Sequence, residues 1–595
     1  KGIDVISTVS GGGYSAFYLY SKMILREKLP AGSRPPSDKE LFADCIPDVY
    51  KDVLPNGIQG LCRDTGSEKY VFQQYAKCRQ DILENDCDQQ LSFGDLDEYG
   101  RTTLNTVTLG AATSIMVPLN FIARTIFDWP VNISPTRGAY LEGIGTAYGL
   151  YPLVNVGDKQ FPDIAKICDP GNFLNCDQEE GNARMDRGKY AIGFEELKQF
   201  TSINRKNVPT WIINATASRS RSIFGWATKG QRDFSKFTLQ ISPFAARSGF
   251  YHDVPDYSKD MDVLQAVTTA AAFFDSNETA IDQPWRMMFA GFQHLAVLDW
   301  GLDIPNPNVN GAWRMLHSIL PVGLYYLDGG IRQLSGVPDN QNSGYIRLMD
   351  GGNNDNLGAY SLYEAGVHDI FISDHSQDSK GEMSDMCLLR NEVFIRSDGK
   401  KKLLIPGLEY FDKQCGTFSD DSSCEDENKV KEASCNKLAA HLKGAASKGE
   451  YPIHAWKYNV LLGCITSSAN PSDQCEGDLD ARIFLLKPAI NLKKFQDDYL
   501  EGDRVKDEAC KSSSSGTCEV AAFIAKRTKE RGGIGKFPQD STVGVTFAST
   551  ATIYGAYREL ARWHMSQALK LIKNESFNKE LQIQATDPIL RKNVK

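Results

Sequence analysis

The chain has 595 residues, 41% of them hydrophobic and 24% charged, enough to bury a large core and to build more than one domain. Its formal net charge is −9, which leaves no basic face for a phosphate backbone, so nucleic acid is not an expected partner. Its 14 cysteines are many for a reducing compartment.

Lys1-Gly2-Ile3-Asp4 reads as the entry to a strand, not as a cationic leader. A domain that opens one strand ahead of its candidate nucleophile is expected to continue upstream of Lys1. Ile3 to Thr8 is a short buried strand, and Tyr14 to Leu29 is a helix stopped by Pro30. Residues 30 to 100 are polar and rich in Asp, Gly and Cys, as loops with short helices are. Thr102 to Ala123, TTLNTVTLGAATSIMVPLNFIA, carries no charge and is long enough to span a bilayer. Asn105, Pro118 and Asn120 weaken it as a span. Three readings stay open for this long apolar helix near 102–127: buried beside the site, interfacial, or spanning.

Val208 to Ala217 and Phe237 to Phe244 are strands, and Asp262 to Phe274 is a helix. GYIRLMDGG brings a strand into a turn at Asp350-Gly351-Gly352. LGAYSLYEAG is a short helix with Gly366 at its C-cap, and HDIFISDHS is the next strand. This alternation of strand and helix predicts an α/β fold with a mostly parallel central sheet and helices on both faces. Residues 401–535 are rich in Lys, Asp, Ser and Cys and read as a Cys-rich insertion or cap on a core formed by 1–400. Within them, Ala481 to Ile490 is one strand. Residues 536–595 return to the core, ending in a helix with Tyr554, Tyr557, Leu560 and Trp563 at helical spacing.

Several cysteines fall in close pairs within polar sequence: 78 and 87, 168 and 176, 415 and 424, 464 and 475, 510 and 518. The spacings are too wide for zinc or redox CxxC motifs. Disulfides and an extracytoplasmic or secretory setting are expected, with buried free thiols as the other reading. Asn132, Asn214, Asn277 and Asn574 begin Asn-x-Ser/Thr triplets, but Asn214 lies in an expected buried strand.

The chemistry centres on DVISTVSGGGYSAF. A nucleophile elbow needs a strand, a tight turn carrying the nucleophile and a helix start, with small residues where backbones approach. Ser10 with Gly11, Gly12 and Gly13 meets each demand, and the Gly11 N–H is a natural oxyanion donor. The residue two before the serine is Thr8, where the usual motif has glycine. The other reading is a glycine-rich turn that only closes a βα unit. None of the eight histidines is marked by pattern as the base, although His375 in SDHS at a strand end would serve a serine peptidase. Asp350, ending a strand before two glycines, is the sharper candidate: a partly desolvated carboxylate at the carboxyl edge of the sheet, where Ser10 would also stand. No metal-ligand cluster and no cofactor motif stands out.

STVSGGGY together with LMDGGNNDNLGAYSLYEAGVHDIFISD resembles the patatin-like phospholipase family, in the branch whose second motif runs DGG, three residues, then Asn-Leu-Gly. Softer likeness extends over most of the chain, least over 400 to 535. The resemblance implies a Ser10–Asp350 dyad without histidine. Ser10 would be the nucleophile, Asp350 the base, Gly351 and Gly352 would shape the turn, and Asn356 would brace that loop. It implies lipid acyl hydrolysis through an acyl-enzyme, with a lipid or phospholipid substrate at a membrane surface, peripheral or embedded. The family's oxyanion loop would precede Lys1, so an upstream fragment of the same precursor is an expected partner. A catalytically inactive relative with a structural, storage or lipid-binding role is the alternative.

Overall fold

A computed structural model describes residues 3–27, 192–204, 208–219, 237–249, 251–272, 299–309, 344–378, 383–406, 451–456, 458–467, 479–511, 516–539, 551–573 and 577–586, with 50, 52–56 and a few single positions besides. The apolar run 102–123, the cysteine pairs 78/87, 168/176 and 415/424, and Asn132, Asn277 and Asn574 lie outside the described residues. The chain divides into two compact units, Lys1–Pro35 with Phe93–Ser361, and Pro36–Ser92 with Leu362–Lys595.

In the first unit, strand β1 (Val5–Val9) is followed after one residue by helix α1 (Gly11–Glu27). Helix α1 buries Ala16, Phe17, Tyr20, Met23 and Ile24, the stripe that a 3.6-residue period places on one face. Helix α2 (Phe194–Ile203) buries Phe194, Leu197 and Thr201 and precedes β2 (Thr210–Arg219), the longest strand among the described residues. Strands β3 (Phe237–Ile241), β4 (Ala246–Ser248) and β5 (His252–Asp253) follow as a meander. Helix α3 (Val263–Ala270) begins at a capping box: the Asp262 carboxylate accepts from the Gln265 amide at 2.7 Å, and the Gln265 side chain accepts from the Asp262 amide at 3.0 Å. Strands β6 (Leu302–Pro305) and β7 (Tyr345–Asp350) complete the sheet, and the next α-helix after β7 is α4 (Ala359–Glu364).

The sheet order is β5-β4-β3-β2-β7-β6, with β1 also beside β2. Strand β1 lies parallel to the first half of β2, from Val5 opposite Thr210 to Val9 opposite Asn214. Strand β7 lies antiparallel to the second half, from Ile346 opposite Arg219 to Asp350 opposite Ala215. Since β3 occupies the other flank of β2, β1 and β7 share one flank and run toward each other, end to end.

The expected mostly parallel sheet with helices on both faces is therefore corrected. The sheets are mostly antiparallel, and the larger curls as a half-barrel. Strand–helix alternation misled because only β1 and β2 realise a parallel pair in this unit. The next strands turn back through Ser242-Pro243-Phe244-Ala245, where the Ser242 hydroxyl accepts from the amides of Phe244 and Ala245 at 3.3 and 3.1 Å. That Ser-Pro signal marks a hairpin, and it stands at the end of the FTLQISPF stretch read as strand alone.

The second unit is built on a four-stranded sheet, β8 (Asp369–Ser373), β11 (Ala481–Leu486), β10 (Val460–Ser467) and β9 (Lys401–Leu404), in that order. Only β8 and β11 are parallel there. Helices α5 (Ser384–Arg396), α6 (Leu492–Tyr499), α7 (Thr517–Arg531), α8 (Ala551–Lys573) and α9 (Phe577–Thr586) accompany it. Leu560 of α8 is buried in a core with Phe523 and Ile524 of α7, and Tyr557 and Trp563 pack against that core. Two of the expected disulfides form, Cys464–Cys475 and Cys510–Cys518. No helix among the described residues is long and apolar enough to cross a membrane.

Candidate active site

Ser10 is the single residue between β1 and α1. Its φ is +48°, in the left-handed region that costs a residue with a side chain about 1 kcal/mol or more. Two bonds hold it there: its amide donates to the Ala270 carbonyl at 3.2 Å, and its own carbonyl accepts from the Gly13 amide at 2.9 Å. A tight turn of this kind, between a strand and a helix start, is what an elbow requires.

Asp350 is the last residue of β7 and is buried. Its Oδ2 accepts a hydrogen bond from the Ser10 hydroxyl at 3.2 Å, and its Oδ1 accepts from the Gly352 amide at 2.9 Å. Burial pushes its carboxyl up to about 6, against the opposing pull of the Gly352 and Ser10 bonds, while the charge of Asp275 raises it further. A carboxylate of that strength is mostly ionised at neutral pH yet basic enough to take a serine proton as a bond to carbon forms.

The residues expected to share a carboxyl edge do meet, but not at an edge. They meet where β1 and β7 abut, beside the Asn214–Ala215 step of β2.

The glycines divide into two groups. At Gly351 a β-carbon would stand 2.2 Å from the Asn214 carbonyl oxygen, so the turn closes only without one. At Gly352 it would stand 2.6 Å from the Asn356 Oδ1, which places the Asn356 carboxamide against the turn. Around Gly11, by contrast, no described atom lies within 4 Å of such a carbon, and at Gly12 only Thr8 Cβ does, at 3.9 Å. Backbone packing requires glycine at Gly351, a side chain at Gly352 would displace the Asn356 carboxamide, and no described atom crowds Gly11 or Gly12. Gly11 and Gly12 also occupy the first turn of α1, where helical amides lack carbonyl partners within the helix.

Four supporting residues, Asn214, Ser7, Ser361 and Gly358, were not anticipated. Asn214 is fully buried. Its Nδ2 donates to the Ser7 hydroxyl at 2.7 Å and to the Thr8 carbonyl at 3.0 Å, and its Oδ1 accepts from the Ser361 hydroxyl. Ser7 in turn donates to the Gly358 carbonyl at 2.6 Å, and Gly358 has φ +62°. A β-carbon on Gly358 would stand 2.9 Å from Val9 Cγ2. These contacts tie the loop after Asp350 to the strand before Ser10. The Asn-Leu-Gly of the second motif was the available signal for Gly358. An asparagine in the middle of the apolar run TWIINATA was the signal for Asn214.

Among the described residues no cluster of His, Cys, Asp or Glu could hold a metal ion. His375 shares a hydrogen bond of 2.9 Å between its Nε2 and the Ser373 hydroxyl, within the second unit. No family model matches the chain, and no curated protein or solved structure is significantly similar to it.

Proposed function

We propose that the chain is a lipid acyl hydrolase, a serine esterase that uses Ser10 and Asp350 as a dyad. The observation that carries this reading is a serine held at positive φ, its hydroxyl 3.2 Å from a buried carboxylate that lies 340 residues away in sequence. Backbone strain at a serine has little structural purpose, and it is maintained where a side chain must be presented. In this reading Ser10 Oγ attacks the ester carbonyl carbon while its proton passes to Asp350. The carbonyl oxygen gains the negative charge and faces the amides of Gly11 and Gly12. As the tetrahedral adduct collapses, Asp350 returns the proton to the departing alcohol, leaving the acyl group on Ser10. Asp350 then takes a proton from water as its oxygen attacks the acyl carbon, and when that second adduct collapses Asp350 gives the proton to the departing Ser10 Oγ, releasing the carboxylic acid and restoring the free hydroxyl.

A lipid substrate, phospholipid or neutral lipid at a membrane surface, is supported by the resemblance to patatin-like phospholipases and by the uncharged run 102–123. The two disulfides support an extracytoplasmic setting. The test is labelling of the full chain with a fluorophosphonate probe, followed by fatty-acid release from phosphatidylcholine vesicles. Native protein is expected to label and hydrolyse, and Ser10→Ala to do neither. Equal labelling of the two, or no release from any ester, would overturn the esterase reading, and release from a soluble ester with none from phosphatidylcholine or triacylglycerol would overturn the lipid assignment.

A further inference from the structure

The most highly charged buried cluster among the described residues of the first unit lies one step from the dyad. Asp275 is 1% exposed and Arg347 2%. Asp275 Oδ1 accepts from the Trp300 amide at 2.9 Å, and its Oδ2 accepts from the Gly301 amide at 2.7 Å and from Arg347 Nη2 at 2.9 Å. Arg347 also reaches Asp299 at 2.7 Å and Asp303 at 3.4 Å. Three buried carboxylates thus face one guanidinium, an arrangement whose geometry is costly to disturb.

The cluster closes a circuit. The Ser10 amide is held by the carbonyl of Ala270, the last residue of α3. Just past that helix, the Asp275 amide donates to the Ala272 carbonyl at 3.0 Å. Asp275 grips Arg347, and Arg347 stands in β7 three residues before Asp350. Asp350 accepts the Ser10 hydroxyl.

We infer that Asp275 and Arg347 are positioning residues for the dyad, locking the segment that holds the Ser10 amide to the strand that ends in Asp350. This inference rests on the esterase reading of Ser10 and Asp350. It also makes the lock sensitive to acid. Among the described residues, the charged groups around Asp275 are Arg347, Asp299, Asp303 and Asp350, with Arg137 bonded to the adjacent Gly301 carbonyl at 2.8 Å. Burial raises the Asp275 carboxyl to about 6, Arg347 opposes that shift and Asp299 adds to it. Asp275 and Asp350 therefore titrate in one range, and each proton taken by the first removes a charge that burdens the second.

The test compares Asp275→Asn with Asp303→Asn, a change in the same cluster on its longest ion pair. Fluorophosphonate labelling rates are followed from pH 4.5 to 8 in the full chain. Asp275→Asn is expected to slow labelling several-fold and to move the acid limb to lower pH, with Asp303→Asn leaving the limb in place. An unmoved limb in Asp275→Asn, or an equal shift in both variants, would overturn the inference, because a merely structural role lowers stability without choosing between them. If Asp275→Asn does not fold, hydrogen exchange on native protein decides. Peptides covering Ser10 and Trp300–Gly301 are expected to lose protection together between pH 7 and 5, after correction for intrinsic exchange, relative to those covering β2. Independent behaviour would refute the lock. Exchange does not depend on activity, so a protein that shows the coupled loss but never labels at Ser10 would refute the esterase reading alone.

Discussion

Ser10 holds a backbone conformation that glycine adopts without cost and that serine adopts under strain. Two changes that both remove the hydroxyl should therefore differ. Ser10→Gly relieves the strain and Ser10→Ala keeps it, so the glycine variant should be the more stable by about 1 kcal/mol. Chemical denaturation of the pair measures this, and an alanine variant at least as stable would mean the turn is unstrained. Neither should label with a fluorophosphonate. At this scale the sequence was most legible. A serine among glycines and an aspartate before two glycines were both readable as candidates, and the fold brings their side chains to 3.2 Å. Asn214 was not, since a buried asparagine in an apolar strand is recognisable only once Ser7, Thr8 and Ser361 are seen around it.

Elements were also largely readable, whereas their pairing was not. The strands at 5–9, 210–219, 237–241, 345–350, 369–373 and 481–486 fall within or close to the apolar stretches that period and composition pick out. The helix expected over 262–274 ends at Ala270. Which strand lies beside which depends on contacts hundreds of residues apart, to which local periodicity is blind. In the second unit the parallel pair β8 and β11 ends in a buried ion triad. Lys487, just past β11, lies 2.7 Å from Asp374, just past β8, and 3.0 Å from Asp378. Burial alone would depress the Lys487 ammonium, but the two carboxylates more than offset this and hold it above its ordinary range. Lys487→Met strands both carboxylates without a counter-charge and should cost about 3–5 kcal/mol. Thermal unfolding measures it, and a loss under about 1 kcal/mol would mean that water reaches the triad.

For the molecule as a whole, the dyad places a pH-dependent burden on folding. The Asp350 carboxyl titrates near 6 when folded and near its ordinary 3.8 when unfolded. The folded state therefore binds more protons between those values, and stability falls as pH rises from about 4 through about 6. The shift corresponds to about 3 kcal/mol at neutral pH. Asp350→Asn keeps an acceptor for the Gly352 amide and removes the charge. It should raise stability by up to about that amount at pH 7 to 8 and leave it nearly unchanged at pH 4, while abolishing labelling. Denaturation midpoints of both proteins at the two pH values provide the comparison, and a gain confined to low pH would contradict the assignment. The direction of this property was legible in the sequence, which marked Asp350 as a partly desolvated carboxylate, but the contribution of Asp275 was not, because a DGG triplet does not announce it.

The abutment of β1 and β7 has a further consequence for how this site can evolve. Ser10 and Asp350 both take their coordinates from one neighbour, the ten-residue β2. A single-residue insertion or deletion near Asn214 would shift one of them along that strand by about 3.3 Å and reverse the alternation of faces on one side of the change. Apart from Asn214, point substitutions can drift through β2 while the gap between hydroxyl and carboxylate is preserved. Length changes at its midpoint cannot, so the count of residues in that strand is held more tightly than their identity.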